Sequence, residues 1–176
     1  MYNTKNELNK GNIMESLKKE LIKLLKENAR YTNAQLANIV GATEEQVKLA
    51  IADLEESGVI VKYSAIVNTE AYSEKEVQAL IEVKVVPQKL KGFDSYAEEI
   101  YNLPEVEGLY LISGGFDFAI FVSGKDLKDV AKFVAEKLSV IEGITSVQTH
   151  FILKKYKIEG QVTRPSEEGQ RQILGA

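Results

Sequence analysis

The stretch VEGLYLISGGFDFAIFVSG, residues 106–124, decides the fold. Apolar residues recur on both sides of Gly114-Gly115, so it reads as two strands about a glycine turn, a hairpin. Upstream, VQALIEVKVV (77–86) is a strand ended by Pro87. Between the two, GFDSYAEEIYNLP (92–104) is an amphipathic helix with Phe93, Tyr96, Ala97 and Ile100 inward. Downstream, KDLKDVAKFVAEKLSVI (125–141) aligns Leu127, Val130, Val134 and Leu138 as a second helix, and ITSVQTHFILKKYKI (144–158) is a long last strand. The order β-α-β-β-α-β predicts a ferredoxin-like domain, a four-stranded sheet with two helices on one face. Leu80 or Ile81, with Leu111, Phe118, Ile120, Phe151 and Leu153, exceed what two helices cover. An uncovered apolar face is therefore expected, and with it a partner, most simply a second copy.

The first part of the chain has the period of helices. ESLKKELIKLLKEN, from Glu15, places Leu17, Leu21, Leu24 and Leu25 on one face. Thr32 with Gln35, and Thr43 with Gln46, each have capping-box spacing. Gly41 separates the two helices they start, and Val47, Ala50, Ile51 and Leu54 give the second its apolar face before Gly58 stops it. VIVKYSAIVN (59–68) is strand-like. Three helices, the last two joined by a tight glycine turn, followed by a strand pair, make a winged helix-turn-helix. The predicted class is α+β. Residues 1–13 are expected to be a disordered lead-in, 14–68 the winged helix-turn-helix, 69–76 a linker, 77–158 the ferredoxin-like domain and 159–176 an unstructured polar tail.

The 176 residues carry a net charge of −4 and no cysteine, which excludes disulfides and thiolate chemistry. No apolar run approaches the roughly 18–20 residues of a membrane span. MYNTKNELNKGNIMES lacks the apolar core of a secretory signal, so a cytoplasmic protein without membrane association is expected. There is no glycine-rich phosphate loop, paired metal-ligand motif or nucleophile elbow. The expectation is no catalytic residue, no metal and no cofactor.

Four strings in order, LLKENARYTNAQLANIVGATEEQV, LEESGVIVKYSAIVN, SGGFDFAIFVSG and THFILKKY, resemble the Lrp/AsnC (feast/famine) family of transcriptional regulators. The resemblance covers about Glu15 to Ile158. It implies dimers paired through the ferredoxin-like domain that often assemble further, and a small effector, usually an amino acid. It implies that the effector binds near the hairpin turn Ser113–Asp117, at contacts between dimers. The family's glycine-x-x-aspartate pattern falls on Gly114 and Asp117, with Gly115 and Phe116 between them. Thr149 and His150 match the position of further polar contacts. The chemistry fits: glycines let backbone amides approach a carboxylate, and Asp117 suits an α-amino group. The plainer alternative is a tight glycine turn capped by Asp117.

The resemblance also implies double-stranded DNA as a partner, and here one stretch stands against it. TEEQVKLAIADLEESG (43–58) spans the reading helix, and five acids face one base, Lys48. Leu49, Ala50 and Asp53 stand where relatives often carry basic residues. Acids near phosphates oppose binding. Base reading falls to the helix N-terminus, where Thr43, Gln46 and Lys48 are suited to it. Lys18, Lys19, Lys23, Lys26 and Arg30, with Lys62 and Tyr63 in the wing, supply candidate phosphate contacts. The expectation is an amino-acid-responsive regulator, weak per module, binding promoter DNA as a dimer or larger oligomer. The alternative is an amino-acid-sensing oligomer whose acidic module docks a protein. An enzyme like the sirohaem decarboxylases of this architecture is disfavoured, because His150 is the sole histidine and no His, Tyr and Arg run exists.

Overall fold

The computed structural model describes residues 3–69, 76–86 and 92–163. Residues 70–75 of the expected linker, Pro87 and the tail from 164 lie outside them. The chain divides into two compact units, the first ending at Ala65 and the second beginning at Ile66.

The first unit holds α1 (Asn3–Glu27), α2 (Asn33–Val40) and α3 (Glu44–Glu56). The first helix runs back to Asn3, through the stretch expected as a lead-in. Both capping boxes form: Thr32 and Gln35 start α2, and Thr43 and Gln46 start α3. Each satisfies two backbone N–H groups that a helix start leaves orphaned. Gly41, at φ +67, closes α2 in the left-handed region that a side chain would disfavour. Leu21, Leu36, Ala37, Val47 and Ala50 form the core. Each fully buried aliphatic side chain there contributes roughly 1.5–3 kcal/mol.

The strand pair expected after α3 does not form. Residues 59–69 make no ladder, and Val61 is 90% exposed. The segment has strand chemistry, but no second strand exists among the described residues of its unit, and one strand cannot satisfy its own backbone groups.

The second unit contains β1 (Val77–Val85), α4 (Phe93–Tyr101), β2 (Val106–Leu111), β3 (Phe118–Gly124), α5 (Leu127–Phe133) continued by a π-helical turn (Val134–Leu138), and β4 (Ile144–Ile152). The sheet order is β2-β3-β1-β4, and each neighbouring pair is antiparallel, the expected ferredoxin-like order. The last strand stops at Ile152. A small hairpin follows, β5 (Lys157–Ile158) and β6 (Gln161–Val162), turning at Glu159 (φ 44) and Gly160 (φ 86). This hairpin lies partly in the stretch expected to be unstructured. Successive positive φ values at a two-residue loop match the twist of the strands it joins.

Register corrects the expected uncovered face. Ile81 pairs with Ile120, and Val83 with Phe118, so these residues share one parity. That parity faces the helices: Ile81, Phe118 and Ile120 are buried with Tyr96, Ile100, Val130, Phe133 and Leu138. Leu111 and Phe151 share the parity but sit on the outer strands, 59% and 39% exposed. The open face carries Leu80, Tyr110, Phe121 and Ile152 among Glu82, Lys84, Gln148 and His150. In the second helix Phe133 is buried and Leu127 is exposed, where Leu127 was expected inward. At the start of β4, Gly143 (φ +94) passes against the buried Tyr96, whose hydroxyl donates to the Val86 carbonyl at 3.1 Å.

Candidate functional site

The first candidate site is the surface of α3. Thr43 Oγ1 accepts from the Gln46 backbone N–H at 3.2 Å, and Gln46 Oε1 accepts from the Thr43 backbone N–H at 2.9 Å. Two of the three residues expected to read bases therefore also build the helix start, while both stay exposed. Lys48 is exposed one turn further on, and Lys62 is exposed on the extended segment after α3.

Asp53, toward the C-terminus of α3, is not bare. Lys18 Nζ lies 2.5 Å from Asp53 Oδ2 and 3.2 Å from Glu15 Oε1. The hydrogen bond to Asp53, and after it that to Glu15, holds the Lys18 ammonium above its ordinary value. Lys18 was expected among the phosphate contacts; it is engaged inside the unit, while Lys19, Lys23, Lys26 and Arg30 are exposed. Tyr63 is likewise engaged. Its hydroxyl donates to Glu55 Oε1 at 2.9 Å, and burial, then that carboxylate, pushes the phenol up to about 12. Two of the five acids of this stretch thus have partners from other segments. Nothing in the local sequence signals either pair, because the partners come from a different helix and from the segment beyond Gly58.

The second candidate site is the loop 112–117 between β2 and β3. The Ile112 N–H donates to the Asp117 carbonyl at 2.8 Å and closes it. Gly114 and Gly115 are not at positive φ, so the expected tight glycine turn is replaced by a wider loop. A Cβ on Gly115 would meet nothing within 4 Å, and one on Gly114 only Ile112 at 3.8 Å. These glycines leave the loop backbone uncovered without being needed for its geometry. Phe116 and Asp117 are half-buried. The Asp117 N–H donates to the Val83 carbonyl at 2.9 Å, and its carboxylate Oδ2 accepts from the Val85 N–H at 2.8 Å. One oxygen of the carboxylate expected to hold an amino group is therefore used within the fold.

Thr149 and His150 lie on opposite faces of the sheet. Thr149 pairs with Ile81 on the helix-covered parity, and His150 with Leu80 on the open one. Adjacent strand residues point to opposite faces. His150 Nε2 lies 3.3 Å from Glu82 Oε1, its diagonal neighbour on the open face. A cavity of about 260 Å³ lies there, lined by Glu82, Lys84, Gly115, Phe116, Ser146 and Gln148. Of these, sequence reasoning had named only Gly115 and Phe116. The signal for the others was the charged pair Glu82 and Lys84, alternating with Ile81, Val83 and Val85 in β1.

The model of the Lrp/AsnC ligand binding domain matches residues 78–162, and that of a winged helix-turn-helix DNA-binding domain matches 14–61. The uncharacterized HTH-type transcriptional regulator YugG of Bacillus subtilis (strain 168) is 40% identical over 156 residues, 88% of this chain and 94% of that one. Among solved structures, a transcriptional regulator of Neisseria meningitidis in complex with L-Met has the same fold, at a TM-score of 0.63 and 24% identity, covering 88% of this chain and 97% of that one. AsnC of E. coli has it too, at a TM-score of 0.62 and 21% identity, covering 81% and 94%. With both domain models matched in order and a relative 40% identical over nearly its whole length, this chain belongs to the Lrp/AsnC family of transcriptional regulators.

Proposed function

We propose that this regulator binds promoter DNA as a homodimer or higher homo-oligomer, and that an amino acid bound to its second unit shifts that binding. The observation that carries the DNA half is the Lys18–Asp53 pair, which sets a cation 2.5 Å from the acid of α3. Lys48 then stands exposed on α3, and Lys19, Lys23, Lys26, Arg30 and Lys62 are exposed cations of the same unit. Thr43, Gln46, Lys48 and Lys62 are the residues we assign to DNA. The effector half is supported by the ligand-binding-domain match and by the L-Met bound to the similarly folded Neisseria regulator. We assign the loop residues Gly114, Gly115, Phe116 and Asp117, with His150 on the open face, to the effector region. Thr149, on the opposite face, serves it only indirectly. A second copy packing on Leu80, Tyr110, Phe121 and Ile152 accounts for the apolar part of the open face.

The mechanism is a linkage. The amino acid changes DNA binding only by its differential affinity for two assemblies, because the spacing and number of the DNA modules ride on the assembly. The test is fluorescence anisotropy on the DNA upstream of its own gene, at about 50 and about 200 mM salt. A specific isotherm that weakens steeply with salt and moves with an added L-amino acid is the expected result.

A second reading has its own observation. Leu49 is 57% exposed, and Glu45 and Glu56 are exposed at helical spacing from it. Such a face suits protein docking better than a phosphate backbone. No DNA binding at low salt by the folded oligomer is the result that selects it.

A further inference from the structure

We propose that Lys154, Lys155 and Lys157 of the second unit hold the phosphate backbone of duplex DNA beyond the bases that the first unit reads. This rests on the reading of the chain as a DNA binder, and it adds a contact surface outside the helix-turn-helix. The chain carries 26 acids in 176 residues, yet the sixteen residues from Gly143 to Ile158 hold none. The three lysines fall at the end of that stretch, in LKKYKI (153–158), which follows β4 and leads into the β5–β6 hairpin.

Four observations point to a polyanion. First, the ion pairs among the described residues use Lys18, Lys132, Lys137 and His150 as cations, and none of these three lysines. Their charge has no anion of its own there. Second, Lys154 and Lys157 are exposed, with Leu153 at 94% and Tyr156 at 73%, so the string stands out from the unit rather than covering its core. Third, the string is held in place. The Thr163 N–H donates to the Tyr156 carbonyl at 3.1 Å, the Thr163 hydroxyl donates to the Lys155 carbonyl, and β5 pairs with β6. A backbone fixed beforehand lowers the ordering cost of each contact. Fourth, the Lys154 ammonium lies 5.3 Å from the centroid of the Tyr156 ring, which sets the cation beside a phenol that can itself donate to a phosphate. One acid, Glu76, lines a small cavity with Lys154 and Lys155, and it is the ion-pair partner of neither. Of the polyanions that such a surface fits, duplex DNA is the one for which the chain carries a matched binding module.

The test is fluorescence anisotropy of the full chain on two duplexes from upstream of its own gene, at about 50 and about 200 mM salt. One is the shortest that binds, and the other is the same site extended by about three helical turns, or about 30 bp, on each side. Lys154→Gln combined with Lys157→Gln changes two exposed side chains and should leave unfolding and sedimentation as they are. On the short duplex this variant should bind like the unmodified protein. On the long one, the loss of affinity between the two salt concentrations should be about tenfold smaller, because each phosphate contact contributes a slope of roughly 0.9. Lys125→Gln combined with Lys128→Gln, an equal charge change on exposed residues around the start of α5, should alter neither isotherm. An equal loss in both variants reduces the effect to net charge and overturns the proposal. A loss as large on the short duplex as on the long one places the lysines within the read site and overturns it too. A change of assembly in sedimentation makes the string an interface between copies, with the same consequence. A long-duplex isotherm that Lys154→Gln with Lys157→Gln does not move overturns the proposal and leaves DNA binding by the first unit standing. Binding of neither duplex by the unmodified protein overturns both.

Discussion

The carboxylate of Asp117 accepts a hydrogen bond from the backbone N–H of Val85 at 2.8 Å. The β1–β3 ladder ends at Val83 and Phe118, and the β1–β4 register shifts between Lys84 and Val85. A side-chain oxygen therefore continues a ladder that the backbone has stopped, and it serves an N–H on a residue only 7% exposed. Leaving that donor unpaired costs roughly 1–3 kcal/mol. Asp117→Ala should lower unfolding free energy by about that amount in urea titration, and Asp117→Asn, which keeps an acceptor, by much less.

Lys18 and Asp53 make opposite predictions for DNA. Asp53→Ala removes an anion from α3 and releases a cation, so affinity should rise about two- to fivefold and the salt slope should steepen by about one phosphate contact. Lys18→Ala exposes Asp53 and should weaken binding by a similar factor. Anisotropy titrations across salt separate the two; equal effects of the same sign would place the pair away from the DNA.

Thr43 and Lys48 separate folding from reading. Thr43→Ala removes the cap of α3 and should destabilise the first unit by about 1 kcal/mol, measured by thermal unfolding. Lys48→Ala touches no cap. It should leave the unfolding curve in place and weaken DNA binding, with a shallower salt slope.

Tyr63 predicts an alkaline transition. Its ordinary value is 10.0 and its folded value about 12, with the neutral phenol favoured by burial and by Glu55. A raised folded value contributes stability below about pH 10, and this is lost as the pH rises toward about 12. Spectrophotometric titration of tyrosinate should show a late-ionising component that Tyr63→Phe loses.

Among the described glycines, Gly143 is the one least open to a side chain. At φ +94, a Cβ there lies 2.0 Å from the Tyr96 hydroxyl and 2.8 Å from its ring carbon Cζ. Tyr96 is fully buried and has nowhere to move. Gly143→Ala should cost about 2–4 kcal/mol in urea unfolding, or abolish folding. Tyr96→Phe in that background should recover only part of the loss, because the ring contact remains.

The fold was legible to the extent that its signals are short-range. Both capping boxes, the stop at Gly41 and the strand period of 77–86 rest on residues within a few positions of each other, and each appears in the structure. The hairpin 106–124 was legible as two strands but not as a loop. "GG" suggests a tight turn, whereas the hydrogen bonds of Asp117 to Val83 and Val85 set a wider one. The candidate site was legible only in part. Gly115 and Phe116 line the cavity, yet Glu82, Lys84, Ser146 and Gln148 enter it from strands some sixty residues apart.

By itself the sequence determined the three helices of the first unit and the β-α-β-β-α-β order of the second, though not that 59–69 forms no strand or that a small hairpin follows Ile152. Those choices follow from dihedral preference, capping and hydrophobic period, all local properties of the chain. Only the tertiary structure decided which strand face meets the helices, that Thr149 and His150 point apart, and that Asp53 is paired with Lys18 and Tyr63 with Glu55. Those depend on register and on contacts between distant residues. A one-residue slip in register exchanges the two faces of a strand. Two charges neutralise each other only when the fold brings them within hydrogen-bond reach.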